Sequence, residues 1–280
     1  FLAILLVLSC FAAFVSFIHG ISQNIQIGNI LANLYEQTRQ RLQQHLSQPF
    51  TDEIPSTDRW AIISSAKTGY FQGINEELVA EIGREQEAQL LVLEPHGQFV
   101  LEGMPLLKSS KPLPAQDVVR VQEQCNYYHQ ERISSNFLFG IKQINEVAAK
   151  ALSPGINDAG TALTAIDYLT QLFVDLLQLG AYRIARDHKR MPRIFYKETP
   201  FEETFYRNFA NLRIYGAGDV GVKQKLLHML DILEQHPKGL VHKPFFVRER
   251  KALLENAKEA LSSEWDLKRE VFPTSRRKEE

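Results

Sequence analysis

Apolar positions change their spacing three times along the chain, and each change marks a different kind of element. Phe1 to Ile18 reads FLAILLVLSCFAAFVSFI and carries no charge. As a helix rising ~1.5 Å per residue it extends about 27 Å, close to the hydrocarbon thickness of a bilayer, which predicts a transmembrane helix. The alternative is a secretory signal peptide, but the run has no basic leader and no small-x-small cleavage site before His19 and Gly20. It also lacks an initiator Met, as expected of a chain that begins inside a longer protein. Beyond it, Ile21, Ile25, Gly28, Ala32, Tyr35, Leu42 and Leu46 alternate by four and three, and Arg39 breaks the seam. This heptad stripe predicts an amphipathic helix continuous with the first, packed on its own domain or on a neighbouring subunit. Gln48-Pro49 ends it, so residues 1–48 form a first unit.

Between Arg59 and Lys108 the runs shorten to strand length. Trp60–Ser64, Gly69–Ile74, Gln89–Leu93 and Gln98–Leu101 are apolar or alternating and bounded by Gly and Pro. Asn75 followed by Glu76 and Glu77 predicts a capped helix to about Ala88. The stretch from His96 to Leu106 resembles the G-x-x-V-x-x-G-x-x-L turn and strand of biotinyl/lipoyl-like barrel-sandwich domains, with Gly97 and Gly103 at the turns and Val100 and Leu106 inward. No lysine sits at an exposed hairpin tip in a recognisable attachment context, so no cofactor is expected. Residues 58–112 are therefore a small β-rich, barrel-sandwich-like domain.

From Pro114 the period is helical. Phe137, Ile141, Ile144, Ala148 and Ala151 recur at four or three, as do Ala162, Ile166, Leu169, Phe173 and Leu177. The same spacing runs through Phe201, Phe205, Phe209 and Leu212, then Leu226, Leu230 and Leu233. A further helix from Pro244 to about Lys268 carries Leu254, Ala257, Leu261 and Trp265. The prediction is an α+β chain whose residues 113–272 close an antiparallel helical bundle, with 273–280 a charged tail. Tyr182–Tyr196 reads as a hairpin with a basic tip at Arg186, Lys189 and Arg190. Such a tip is a solvated surface turn or a contact for anionic lipid headgroups.

Composition narrows the chemistry. With 32 Lys and Arg against 33 Asp and Glu, no overall field points to nucleic acid, and no aromatic stacking platform accompanies the basic tip. Two cysteines, Cys10 and Cys125, exclude a disulfide scaffold and a CxxC knuckle and fit a reducing compartment. His188, His228, His236 and His242 show no zinc-hydrolase spacing, so no metal is expected. No P-loop, dinucleotide-binding glycine fingerprint or nucleophile elbow is present.

Two helix junctions hold the candidate site. In ALSPGINDAGT, Pro154-Gly155 breaks one helix and Asn157 or Asp158 can cap the next; in RIYGAGD, Gly216 and Gly218 end a helix and Asp219 can cap its successor. Two plain helix turns are one reading. The other is a ligand or assembly site of Ser153, Asn157, Asp158, Thr161, Arg213, Tyr215 and Asp219, with both junctions at one end of the bundle and Arg213 bridging to the first loop.

The run ALSPGINDAGTALTAIDYL, with FIHGISQNIQ, GYFQGI and LRIYGAGD in that order, resembles a bacterial family of predicted membrane proteins, domain of unknown function number 2254, as far as about Gln235. Members commonly carry Pro where this chain has Ala159. The resemblance implies a membrane protein with further membrane helices before this stretch and supplies no activity. The reading is a non-enzymatic, homo-oligomeric protein of the bacterial inner membrane, of channel or transporter type, in contact with the lipid bilayer. Its soluble part, an assembly or gating domain, is expected in the cytosol, on the free cysteines and the basic hairpin. The alternative is a membrane-tethered enzyme or ligand sensor using the two junctions.

Overall fold

The computed structural model describes residues 27–128, 133 and 136–268, together with Ser9, Phe11 and Phe14. In chain order the elements are α1 (Ile27–Leu46), β1 (Phe50–Thr51), β2 (Ala61–Ser64), β3 (Gly69–Ile74), α2 (Glu76–Glu85), β4 (Leu90–Val92), β5 (Phe99–Val100) and β6 (Pro105–Ser109). Then follow α3 (Ala115–Glu123), β7 (Cys125–Tyr128), α4 (Phe137–Ala151), α5 (Ala159–Leu176), β8 (Tyr182–Arg186) and β9 (Pro192–Lys197). The last are α6 (Phe201–Tyr215), α7 (Val220–Gln235), a 3-10 turn (Pro237–His242), α8 (Lys243–Ala260) and α9 (Glu264–Lys268).

The transmembrane expectation for Phe1–Ile18 lies outside the described residues, apart from Ser9, Phe11 and Phe14. Among the described residues no helix is long and apolar enough to cross a membrane, so the expected N-terminal transmembrane helix is not supported. The helix expected to continue it, α1, carries Glu36, Arg39 and Arg41 and buries a single seam. That seam is Leu31, Thr38 and Leu42, and it faces the chain's own α4 and α5. Gly28 and Ala32 of the predicted stripe are not in it. Thr38 is tolerated at full burial because its hydroxyl donates to the Leu34 carbonyl at 2.5 Å.

The β unit does not close into a barrel-sandwich. Strands from the helical half complete its main sheet, in the order β1-β8-β9-β4-β6-β2, with β4 parallel to β9. A second sheet, β5-β3-β7, lies apart. Gly97 and Gly103 do have positive φ (83° and 84°), and Val100 and Leu106 are buried. A local turn signal was present, but the partner of Leu90–Val92 is Ile194–Tyr196, about a hundred residues away, which no local pattern announces. Leu90 and Val92 join Phe71, Val79, Ile82 and Val121 in one core, while Leu91 packs with Ile184 and Phe195 on the other face. Strand alternation thus serves two layers. Asn75 caps α2 by accepting from the Leu78 N–H at 3.3 Å. Cys125 lies in the first core, and burial pushes its thiol up to about 11.

The larger core belongs to the helices and gathers Leu31 and Leu42 with the apolar stripes of α4 to α8. Their directions follow from side-chain pairs. Tyr35 stacks on Tyr168 at 4.3 Å and Arg39 Nε donates to Asp175 Oδ2 at 3.2 Å, so α1 and α5 run parallel. Lys225 Nζ stands 2.6 Å from Asp167, and Gly239, past the end of α7, faces Leu177, past the end of α5. Hence α5 and α7 are also parallel, and the layer is mixed rather than wholly antiparallel. Phe173, near the end of α5, meets Phe201 and Phe205 at the start of α6 (6.5 and 4.9 Å), so α6 returns the chain. The single helix expected from Pro244 to Lys268 is two, α8 and α9, separated at Leu261–Ser263. Leu253 is the buried residue and Leu254 is exposed.

Helix α1 approaches α4 so closely that a Cβ built on Gly140 would lie 2.0 Å from Thr38 Oγ1. Alanine gains ~1 kcal/mol over glycine inside a helix, but overpacking costs about 1–3 kcal/mol, and at 2.0 Å the clash decides. Gly140→Ala is therefore expected to lower the thermal midpoint, and Thr38→Gly in that background, which also removes the Thr38 Cβ 2.9 Å away, to recover part of the loss. A neutral or stabilising Gly140→Ala in calorimetry would contradict this packing.

Candidate functional site: an apolar end and a polar joint

Because α1, α5 and α7 are parallel, their starts share one end of the helical layer with the last turns of α4 and α6. Both sequence-predicted junctions are therefore at the end where α1 begins. In the first, Asp158 caps α5, accepting from Thr161 N–H (3.0 Å) and Thr161 Oγ1 (2.5 Å). These bonds, the hydroxyl's foremost, hold the Asp158 carboxyl below its ordinary range. Asn157 has φ 50°, the left-handed region asparagine tolerates, and this turns the chain so that the Asp158 N–H reaches the Ala151 carbonyl at 2.8 Å. Ser153 Oγ donates to the Lys150 carbonyl at 2.6 Å. In the second junction Asp219 caps α7 through the Val222 N–H at 2.9 Å. Gly216 is required there, since a Cβ would meet Val222 Cγ1 at 2.3 Å.

The two junctions share an end without sharing the expected bridge. Arg213 turns to α8, where Nη1 donates to Asn256 Oδ1 at 2.6 Å and Nε stands 3.7 Å from Glu249 Oε2. Burial raises the Glu249 carboxyl, opposed by the Arg213 charge. Tyr215 is exposed, as are Ile156 of the first loop and Ile214 in the last turn of α6. What the site residues have in common is location, at an end with exposed apolar side chains.

At the far end of α1 a polar joint binds helices to sheet, and no spacing in the sequence points to it. His45 Nε2 lies 3.0 Å from Glu198 Oε1, just past β9, with its ring against Phe50 and Phe137. Arg183, buried, lies 3.8 Å over the Tyr196 ring and donates to Glu76 Oε1 at 2.6 Å. Burial first, then the Glu76 charge, pushes the Tyr196 hydroxyl well above its ordinary value. Asn136 caps α4 by accepting from the Leu138 N–H (3.0 Å) while its Nδ2 donates to the His96 carbonyl (2.9 Å). Gly73, with φ 102°, makes room for His96, whose Nε2 would be 2.7 Å from a Cβ there. The cavity among Arg41, His45, His96, Arg183 and Glu198 is about 30 Å³. That admits one or two waters and is far below the ~300 Å³ of small-molecule pockets. The joint fastens rather than binds.

The basic tip lies at the other end of the β8–β9 hairpin from this joint. Asp187 organises it, accepting from the N–H groups of Lys189 and Met191 and from Arg193 Nε, each at 2.9 Å. The Arg193 bond chiefly holds the Asp187 carboxyl low. Arg186, Lys189 and Arg190 remain exposed. Among the described residues no cluster of three or more His, Cys, Asp or Glu is placed to hold a metal ion.

The comparisons with known proteins agree with the family resemblance. A family profile described as "Predicted membrane protein (DUF2254)" matches residues 1–231. Uncharacterized proteins of Mycobacterium bovis and Mycobacterium tuberculosis are each 23% identical over 238 residues, covering 80% of this chain and 46% of their own length. The chain thus spans about half the length of the curated relatives it matches. No solved structure matches it.

The Arg213 geometry gives a double-mutant test. Arg213→Ala and Asn256→Ala are expected to be non-additive by about 0.5–3 kcal/mol in chemical denaturation, as for residues in contact, whereas Arg213→Ala and Asp158→Ala should add to within ~0.5 kcal/mol. Coupling of Arg213 to Asp158 instead would restore the bridge between the junctions.

Proposed function

We propose that this chain, which belongs to the family of predicted membrane proteins designated DUF2254, contributes a non-catalytic assembly or gating domain to a homo-oligomeric membrane protein of channel or transporter type. The observation that carries the reading is the two-ended build around α1. One end gathers the start of α1 and both junctions with exposed apolar side chains, and the other fastens α1 to the sheets through His45–Glu198. A 20-residue helix is about 30 Å long, so a displacement entering at one end reaches the sheets as motion of a packed body. Arg39–Asp175 and the Tyr35–Tyr168 stack keep α1 from sliding on α5.

The membrane faces the apolar end in this reading, with the domain on the cytosolic side. The basic tip at Arg186, Lys189 and Arg190, exposed at the end of the β8–β9 hairpin, is then open to an anionic partner. Assembly is favoured over a ligand sensor at the junctions because Ser153, Asp158, Asp219 and Arg213 already direct their polar atoms to caps and to α8. The seam of α1 is buried within its own chain, so subunit contacts fall on other surfaces.

In vesicles, the full-length protein is expected to be a symmetric oligomer by native mass spectrometry and to pass ions or small solutes. His45→Ala, which loosens the joint, should change that flux several-fold and leave the copy number unchanged. A monomer without flux, or a flux indifferent to His45, would contradict the proposal.

A further inference from the structure

Six exposed apolar side chains share the end of the helical layer where α1 starts: Ile27, Ile30, Ile156, Ile214, Tyr215 and Trp265. They come from four separate parts of the chain. Ile156 and Ile214, at the two junctions, are 62% and 57% exposed. Trp265, 71% exposed, is held there by construction. Lys223, in the first turn of α7 and 1% exposed, donates its ammonium to the Asp266 carbonyl and, at 3.2 Å, to that of Leu267, fixing the short α9 beside the start of α7.

Several charges nearby already have partners. Asp158 and Asp219 are occupied as caps, and Lys225 pairs with Asp167 at 2.6 Å. Lys150, exposed at the end of α4, has a stem long enough to carry its ammonium to a headgroup. The chain leading into α1 is also uncharged, with no Asp, Glu, Lys or Arg from Phe1 to Tyr35. Only residues 19–26 separate the apolar run Phe1–Ile18 from α1, a link of at most about 29 Å fully extended. A partner at this end must therefore accept exposed isoleucines, an amphipathic Tyr and Trp, and an uncharged lead-in. The interfacial layer of a bilayer meets all three requirements, since Trp and Tyr concentrate there.

We propose that this end of the domain seats on the lipid bilayer, with Ile156, Ile214, Tyr215 and Trp265 entering its interfacial layer. The proposal rests on the reading above that the start of α1 faces the membrane.

Trp265 is a natural reporter, because the chain has two tryptophans and the other, Trp60, packs on the sheets. In full-length protein with every tryptophan except Trp265 replaced by Phe, reconstituted in phosphatidylcholine–phosphatidylglycerol vesicles, brominated phosphatidylcholine should remove about half of the Trp265 emission while aqueous iodide removes little, as for an interfacial indole. Ile156→Asp with Ile214→Asp should reverse that preference. A nitroxide on Ile156→Cys in a Cys10→Ser background, which retains Trp60, should collide more with oxygen than with a water-soluble nickel complex. Quenching by iodide alone would place this end in water and overturn the proposal. Shielding from both quenchers in an intact oligomer would make it a subunit contact and overturn it equally. A monomer with lipid-quenched Trp265 would leave this contact standing and remove the assembly reading.

Discussion

The close approach of α1 to α4, where Thr38 occupies the space that Gly140 leaves open, is the constraint on which the rest depends. Without a side chain at Gly140, a buried threonine can lie against the backbone of α4, its hydroxyl satisfied by its own helix. That draws Leu31 and Leu42 into the helical core and brings Tyr35 and Arg39 onto α5. Once α1 is parallel to α5, its last turn arrives at the start of α4 and the open end of the β8–β9 hairpin, where His45 meets Glu198 and Phe50 pairs with Arg183. The sheets are positioned through α1, and so is the separation of an apolar end from a polar joint.

The two ends obey different physics. At the joint the buried Arg183 guanidinium is compensated in place by Glu76, itself partly exposed, and by the Tyr196 face, while His45 meets Glu198. Leaving that guanidinium without its partners is costly, because a desolvated charge must be paired. At the apolar end the cost runs the other way. Exposed isoleucines gain nothing from water, and each becomes favourable only when a partner covers it, at roughly 25 cal/mol per Å² of apolar surface. A body with one fastened end and one end awaiting cover is suited to transmit a change across its length.

Much of this was legible in the sequence where local chemistry decides the outcome. The stripes of α4 to α7, the Asn75, Asp158 and Asp219 caps, the positive φ of Gly97 and Gly103 and the Tyr182–Tyr196 hairpin all follow from residue type and spacing. The sheet was not legible, because the parallel pairing of Leu90–Val92 with Ile194–Tyr196 depends on the intervening helices. The seam of α1 was misjudged for a related reason: Thr38 is polar by type and core by context, through a glycine about a hundred residues away. Arg213 was assigned to the wrong partner because Asp158 is near in motif and Asn256 is near in space. The joint left no signal, since His45, Glu76, Arg183 and Glu198 are ordinary surface residues until the fold collects them.

The parallel arrangement of α1, α5 and α7, which puts both junctions at one end, is the central claim and is open to a distance measurement. Cysteines for spin labels can replace Gly155 and Gly218, where a Cβ meets nothing within 4 Å, and Leu240, which is exposed. In a Cys10→Ser background, pulsed electron–electron resonance should place labels at 155 and 218 within about 20 Å, given interaxial spacings of 8–10 Å between packed helices. Labels at 155 and 240 should be farther apart, by roughly the ~27 Å length of an 18-residue helix such as α5. The opposite ordering of the two distances would put the junctions at opposite ends and contradict the account.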